Sequence, residues 1–368
     1  MENKKENFLK KYFVSLKNNR KTQIISIVVF AVLVFVAVMV FYVISDQSLG
    51  LDDLLRQNKE EIIQEETQNG RRIDGVIVEE GKENIYPTAV MVENITSVRP
   101  QAGLSQAGVV YEALAEGGIT RFMAVFAGGE ANKIGPVRSA RSYYLEWLSE
   151  YDAMYVFSGA YPPVLAAVSG LGIKNINAMY AGSKYYWRDN SVGAPHNMFT
   201  NSEKINLALR DNEYDKLTPE FRQWKFVDGA EEADRPSEEK SIKIDFSSAG
   251  YKVVYEYDKE SNSYLRFNPE GAIHSDRNTG EQLSPKNVVI IRVAADVIDD
   301  EGRLGMDVTG EGDAVMFSNG QTHKGTWEKE SRTSRTIFYY EDGTEHEFVR
   351  GQTWVEAVPP DRSVTYSE

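Results

Sequence analysis

A chain of 368 residues with 42% hydrophobic and 26% charged side chains is long enough for two globular domains and too apolar to be disordered. A net charge of −14 argues against nucleic acid as a general partner, because phosphate binding needs a basic face. The absence of cysteine excludes disulfides, thiolate chemistry, Cys-ligated zinc and a lipidated cysteine.

The charge is unevenly placed. The first 21 residues carry seven basic and two acidic side chains, a net +5 that leaves −19 for the rest. This basic tail, residues 1–23, precedes 21 residues without a charge, 24–44, whose apolar character only Ser26 interrupts before Tyr42. At about 1.5 Å per residue such a helix spans a hydrocarbon core of roughly 30 Å. The sequence after it, Ser45-Asp46, offers no small-residue cleavage site. The reading is a signal-anchor through the cell membrane, with a cleaved signal as the alternative. The basic flank puts the N-terminus in the cytoplasm and the remainder outside. Residues 45–84 form a polar stalk. Leu51, Leu54, Leu55, Ile62 and Ile63 recur near helical spacing, which suits a short helix that packs on the head or pairs with a second copy; a solvated spacer is the alternative.

Residues 85–228 alternate strand and helix patterns. Strands are predicted at 88–93, 119–126 and 153–157, with 109–114 open between strand and helix. Helices are predicted at 139–151, with Ser139 as N-cap, at 162–168, and from the Thr200-Asn201-Ser202-Glu203 capping box through Leu209. Such alternation predicts an α/β layered domain with a mixed sheet, whose ligands bind at loops beyond strand ends. Residues 133–142 hold one such loop. Arg138 and Arg141 flank Ser139 there, and Arg99, Arg121, Glu112 and Glu116 fall in loops of the same class. Guanidinium groups bind phosphate, pyrophosphate or carboxylate bidentately, so Arg99, Arg121, Arg138, Ser139 and Arg141 are the candidate anion site. The competing reading is an internal ion-pair network in which Glu112 and Glu116 neutralise the arginines. A second candidate patch is Tyr185, Tyr186, Trp187, His196 and Asn197, aromatics beside an imidazole that suit a sugar or a general base. His196, Glu112 and Glu116 are the candidates for acid or base.

A charged linker, 229–240, leads to a second domain at 241–360 and a tail at 361–368. The period changes to two, with strands predicted at 242–246, 251–257, 264–267, 288–293, 314–317, 336–340 and 353–357. Asn319-Gly320 and Asp342-Gly343 are hairpin turns between them. The expectation is a mainly-β antiparallel sandwich or partly open barrel. The acidic residues Asp299, Asp300, Glu301, Asp307, Glu311 and Asp313 lack the order of an EF-hand loop and read as solvated hairpin tips. His274, His323 and His346 have no metal-ligand spacing. Trp327 and Trp354 read as core or sheet-face aromatics. No cofactor or metal is expected.

Several separated motifs resemble one family. Arg99-Pro-Gln-Ala-Gly-Leu-Ser-Gln-Ala107, Val110-Tyr-Glu-Ala113, Glu116-Gly-Gly-Ile-Thr-Arg-Phe122, Ile134-Gly-Pro-Val-Arg-Ser-Ala-Arg141 and Ala194-Pro-His-Asn197 are similar to the YerB family of bacterial envelope proteins. Asn287-Val-Val, Gly302-Arg303, Asn319-Gly320, Gly325-Thr-Trp327 and Gly351-Gln-Thr-Trp354 extend the resemblance over residues 85 to 360. It implies paired N-terminal and C-terminal domains outside the membrane, and it supplies no catalytic residues. Many such proteins carry a lipid-modified cysteine; here the apolar span takes over the anchoring. The expectation is a membrane-anchored extracytoplasmic binding or scaffold module for a phosphorylated or glycan-linked ligand. A hydrolase or transferase of such a substrate, and a purely structural protein-binding module, are the alternatives.

Overall fold

The computed structural model describes residues 70–128 and 130–367. The basic tail, the apolar segment 24–44 and the stalk up to residue 69 lie outside them; among the described residues no helix is long and apolar enough to cross a membrane.

The first half of the described chain runs β1 (Thr88–Glu93), β2 (Val109–Leu114), β3 (Thr120–Phe126), α1 (Ser142–Ser149), β4 (Met154–Phe157), α2 (Pro162–Gly170), β5 (Asn175–Asn177), α3 (Ala178–Ala181), β6 (Trp187–Arg188), β7 (Met198–Phe199), α4 (Ser202–Asp211) and β8 (Lys225–Val227). The second half, apart from short 3-10 turns, is strand: β9 (Ser241–Asp245), β10 (Lys252–Asp258), β11 (Ser263–Phe267), β12 (Asn287–Arg292), β13 (Ala295–Val297), β14 (Leu304–Met306), β15 (Gly310–Ser318), β16 (Gln321–Lys329), β17 (Ile337–Tyr340), β18 (Glu347–Val349), β19 (Thr353–Val358) and β20 (Val364–Tyr366).

One mixed sheet of ten strands organises both halves, in the order β17-β16-β15-β12-β19-β2-β3-β1-β4-β5. The halves meet where β19 pairs in parallel with β2, Glu356 opposite Glu112. A separate antiparallel sheet, β11-β10-β9-β20, packs on one face. The C-terminal half is therefore not a free-standing sandwich or barrel. The reason lies in its strands: β12 and β19 are buried along their length, so both faces and both edges need cover. The sheet of the first half supplies an edge.

Alternation sets the two faces. Met91, Tyr111, Met123 and Val289 point to a core closed by Tyr143, Tyr144, Trp147 and Leu148 of α1 and by Val164 and Val168 of α2. Val90, Val110, Phe122, Ile290 and Trp354 point the other way, to Ile205 and Leu209 of α4 and to Ile242, Val253, Tyr255 and Tyr264 of the smaller sheet.

Three local readings shift. Asn201, not Thr200, caps α4 by accepting from Lys204 N–H at 2.9 Å, while the Thr200 hydroxyl donates to Tyr185 O. The Asn319-Gly320 turn has φ of +53° and +70°, and it joins β15 to β16, a strand not predicted. Its sequence, Gln-Thr-His-Lys-Gly-Thr-Trp-Glu-Lys, is too polar to read as one. The acidic hairpin between β13 and β14 is closed by Arg303, which binds Asp299 (2.7 Å) and Glu301 (3.2 Å).

Candidate functional site

The site is built where β1 outruns its neighbour. β4 pairs with β1 only as far as Val90. Beyond that point the chain 135–138 lies beside β1: Glu93 N–H donates to Pro136 O and Arg138 N–H to Met91 O, both at 2.9 Å. Gly135 has φ +137°, and a Cβ there would stand 2.7 Å from Val137 N, so only glycine fits. Ala140 N–H then donates to Gly159 O at 3.0 Å, tying the segment to the loop after β4. These bonds keep residues 138–141 extended. Helix α1 consequently starts at Ser142 with Arg141 at its N-cap, and Ser139 is not the cap: its hydroxyl donates to Ser158 O at 3.0 Å.

Three arginines gather around this segment. Arg138 Nε binds Glu93 Oε2, and Arg141 Nη2 binds Glu116 Oε2. Arg121, opposite Glu93 in the β1–β3 register, donates from Nη1 to Ser139 O at 2.9 Å. It is buried and, among the described residues, has no carboxylate partner. Burial, then the charge of Arg141, pulls its proton affinity below the ordinary arginine value. Burial, the largest single influence, raises the Glu116 carboxyl, but the bond to Arg141 and the charges of Arg141 and Arg121 together hold the group below its usual value. His196 arrives on the exposed 193–196 turn and places Nδ1 3.1 Å from Glu93 Oε2, the atom that Arg138 also uses. Among the described residues its Nε2 makes no hydrogen bond, and a quarter of the side chain is exposed.

Arg121 Nε, Arg141 Nε, Glu116 Oε1 and the Tyr155 hydroxyl are buried here without a hydrogen-bond partner. Burial above all drives the Tyr155 hydroxyl far above its ordinary pKa, although Arg121 and Arg141 oppose this. Buried unpaired polar atoms cost stability. Three cations, two carboxylates and a surplus of donors form a place that an anion would complete.

Strand alternation divides the other candidates. Glu112 points to the opposite face, where it binds Arg266 and accepts from Thr120 (2.5 Å) and Asn94 (3.2 Å). Arg99 lies on that side too, bonded to Asn94 Oδ1 (2.9 Å) and Gly250 O (3.1 Å) and stacked over Tyr251. Neither joins Arg121, Arg138 and Arg141. The aromatic patch also separates. Tyr186 is in the core with its hydroxyl on Ile176 O (2.7 Å), Tyr185 bonds Asp211 (2.7 Å), and Trp187 leans on Phe199. Asn197 accepts from Arg188 at 2.7 Å and does not orient His196. Sequence reasoning missed Glu93 and Tyr155; a carboxylate ending an otherwise uncharged strand was the one signal for Glu93. Among the described residues no three His, Asp or Glu side chains gather to hold a metal.

Residues 74–215 match the family described as protein of unknown function (DUF3048) N-terminal domain, and residues 242–355 match its C-terminal domain. The chain is 32% identical over 275 residues to the putative lipoprotein YerB of Bacillus subtilis (strain 168), an alignment covering 74% of this chain and 81% of that protein. It is also similar to the crystal structure of YerB protein from Bacillus subtilis, with a TM-score of 0.71 at 29% identity over 80% of this chain and 98% of the other. The sequence motifs and these matches agree: the chain belongs to the YerB family, with its paired N-terminal and C-terminal DUF3048 domains.

Proposed function

We propose that this is a membrane-anchored binding module of the bacterial cell envelope, and that the Arg121–Arg138–Arg141 site receives a phosphorylated or glycan-linked anion. The observation that carries the ligand reading is Arg121: a buried guanidinium without a carboxylate, beside three further unpartnered polar atoms. The lipoprotein description of the Bacillus relative supports the envelope location. The uncharged segment 24–44 and its basic flank support the anchor and the outside placement of residues 70–367. The full chain in phosphatidylcholine nanodiscs, heated with and without inorganic pyrophosphate, tests the site. Binding to the native state raises its melting temperature. Arg138→Ala with Arg121→Met abolishes the rise; a rise unchanged in that variant, or none in the wild type, removes these residues from function. Protease added to intact cells tests topology: it degrades the two domains and leaves a short N-terminal fragment.

A second reading, a hydrolase or transferase of the same substrates, rests on the Glu93–His196 pair. A carboxylate on Nδ1 leaves Nε2 open as a base.

A further inference from the structure

The surface around the arginines carries exposed apolar side chains, grouped about Tyr161, which itself packs partly on the helix-side core. The loop after β4 presents Tyr161 half-buried and Pro162 exposed. Within it Gly159 donates from N–H to Asn177 Oδ1 at 2.9 Å, and the same oxygen accepts from Met179 N–H at 3.1 Å. A Cβ on Gly159 would lie 3.3 Å from Met179 Cγ, so α3 sits directly on this loop. On α3, Met179 is 66% exposed and Tyr180 80%. From the other side comes the β13–β14 hairpin of the C-terminal half. Arg303 stacks over Tyr161 with 4.6 Å to the ring centre, and Ile298 N–H donates to Arg303 O at 2.8 Å. Ile298 and its neighbour Val297 are exposed.

Single exposed apolar residues are ordinary, but grouped ones beside a polar centre mark a binding surface. Here the group borders the segment that holds Arg138 and Ser139: Ala140 N–H bonds Gly159 O, and Ser139 Oγ bonds Ser158 O. A small hydrophilic anion would use the arginines and leave this rim bare. An anion esterified to an apolar chain would use both.

We propose that the ligand is amphipathic, a phosphate ester of an apolar alcohol: its charged end lies on Arg121 and Arg138, and the first part of its chain lies over Met179, Tyr180 and Tyr161. The inference rests on the anion reading above and specifies what the anion is attached to. The contact is with an individual ester seated in the site, not with a bilayer surface.

Titration calorimetry on the full chain in phosphatidylcholine nanodiscs, with inorganic phosphate, hexyl phosphate and hexanol as probes, tests this. Each methylene taken from water contributes about fourfold in affinity, so covering two or three makes hexyl phosphate about 16- to 64-fold tighter than phosphate. Met179→Ser with Tyr180→Ser, both on the surface, removes that gain and leaves phosphate affinity unchanged. Arg121→Met removes both affinities. If hexyl phosphate binds no tighter than phosphate, or the serine variant keeps the gain, the amphipathic ligand is overturned and the anion site stands. Hexanol binding as well as hexyl phosphate also overturns it, since the arginines would then contribute nothing. If neither phosphate binds, the anion site itself falls.

Discussion

Glu112 of β2 and Glu356 of β19 stand opposite each other in parallel register, both fully buried, at the seam between the two halves of the chain. A single guanidinium, Arg266 of the smaller sheet, binds Glu112, and the Tyr255 hydroxyl donates to Glu356 Oε1. Two carboxylates against one cation would leave an unbalanced charge in the core. Burial first, and then the charge of Glu112, drives the Glu356 carboxyl well above its ordinary value of 4.5. The shift favours the protonated form of Glu356, in which the pair holds one negative charge for one positive.

This gives stability a distinctive pH dependence. The folded state keeps the Glu356 proton where the unfolded chain releases it, above about pH 4.5. The stabilisation is complete below that value and declines as pH rises towards the folded pKa, by about 1.4 kcal/mol per unit. Glu356→Gln keeps a donor towards Glu112 and an acceptor for Tyr255 without the proton. Urea midpoints at pH 6 and pH 9 are expected to fall less in the variant than in the wild type. Equal falls would mean that Glu356 is already ionised.

Arg266 is the matching cation, buried and stacked over Trp354 with 4.6 Å to the ring centre. Its guanidinium also lies 2.9 Å from His274 Nδ1 and 3.0 Å from the Tyr255 hydroxyl. Arg266→Met strands Glu112 in the core and is expected to cost about 3–5 kcal/mol in denaturant unfolding. Adding Glu112→Gln returns a large part of that loss, because the remaining group is neutral. A double variant no more stable than the single one would show that stacking on Trp354, not charge balance, is what Arg266 supplies.

Much of this was written locally in the sequence and some of it could not be. The strand 88–93 is predicted to its ends, and 109–114 resolves to strand, because apolar runs bounded by turn residues carry their own limits. The polar strand β16 does not, since only its partners β15 and β17 make its backbone a strand. The β2–β19 pairing joins residues some 240 positions apart in sequence, and no period or turn signal encodes it. The site was legible as a set of arginines but not as a geometry. Whether Glu112 faces Arg121 or Arg266 depends on which side of a strand it occupies and on what packs there, and Glu93 becomes central only because β4 stops short beside β1.

His346 offers an acid-side counterpart. It is buried among Tyr340, Phe348 and His323, with both ring nitrogens unpartnered, and burial pushes its pKa down to about 3. The unfolded imidazole takes a proton near pH 6.5 and the folded one does not. Stability is therefore present above about pH 6.5 and is lost on acidification, approaching about 1.4 kcal/mol per unit down to pH 3. His346→Phe suits the aromatic surroundings and removes this proton. Thermal midpoints from pH 7 to pH 4 should fall less steeply in the variant. Parallel curves would assign acid unfolding to other groups.

The Glu93–His196 pair separates the binding module from the enzyme. If His196 is a base, the open Nε2 accepts a proton from water as that water attacks phosphorus and the ester P–O bond breaks, the alcohol leaving as its oxyanion to be protonated by solvent, with Arg121 and Arg138 stabilising the charge on the phosphoryl oxygens. His196→Asn then abolishes turnover of a chromogenic phosphate ester while pyrophosphate still raises the melting temperature, because the arginines are untouched. Glu93→Gln acts differently. It releases Arg138 as well as His196, so it weakens anion binding and turnover together. In a pure binding module the wild type has no turnover to lose, and His196→Asn changes the pyrophosphate shift by under about 1 °C, below the 2–4 °C that about 1 kcal/mol moves a domain of about 150–250 residues. Turnover that survives His196→Asn would place the base elsewhere and leave His196 as a hydrogen-bond partner that orients Glu93 towards Arg138.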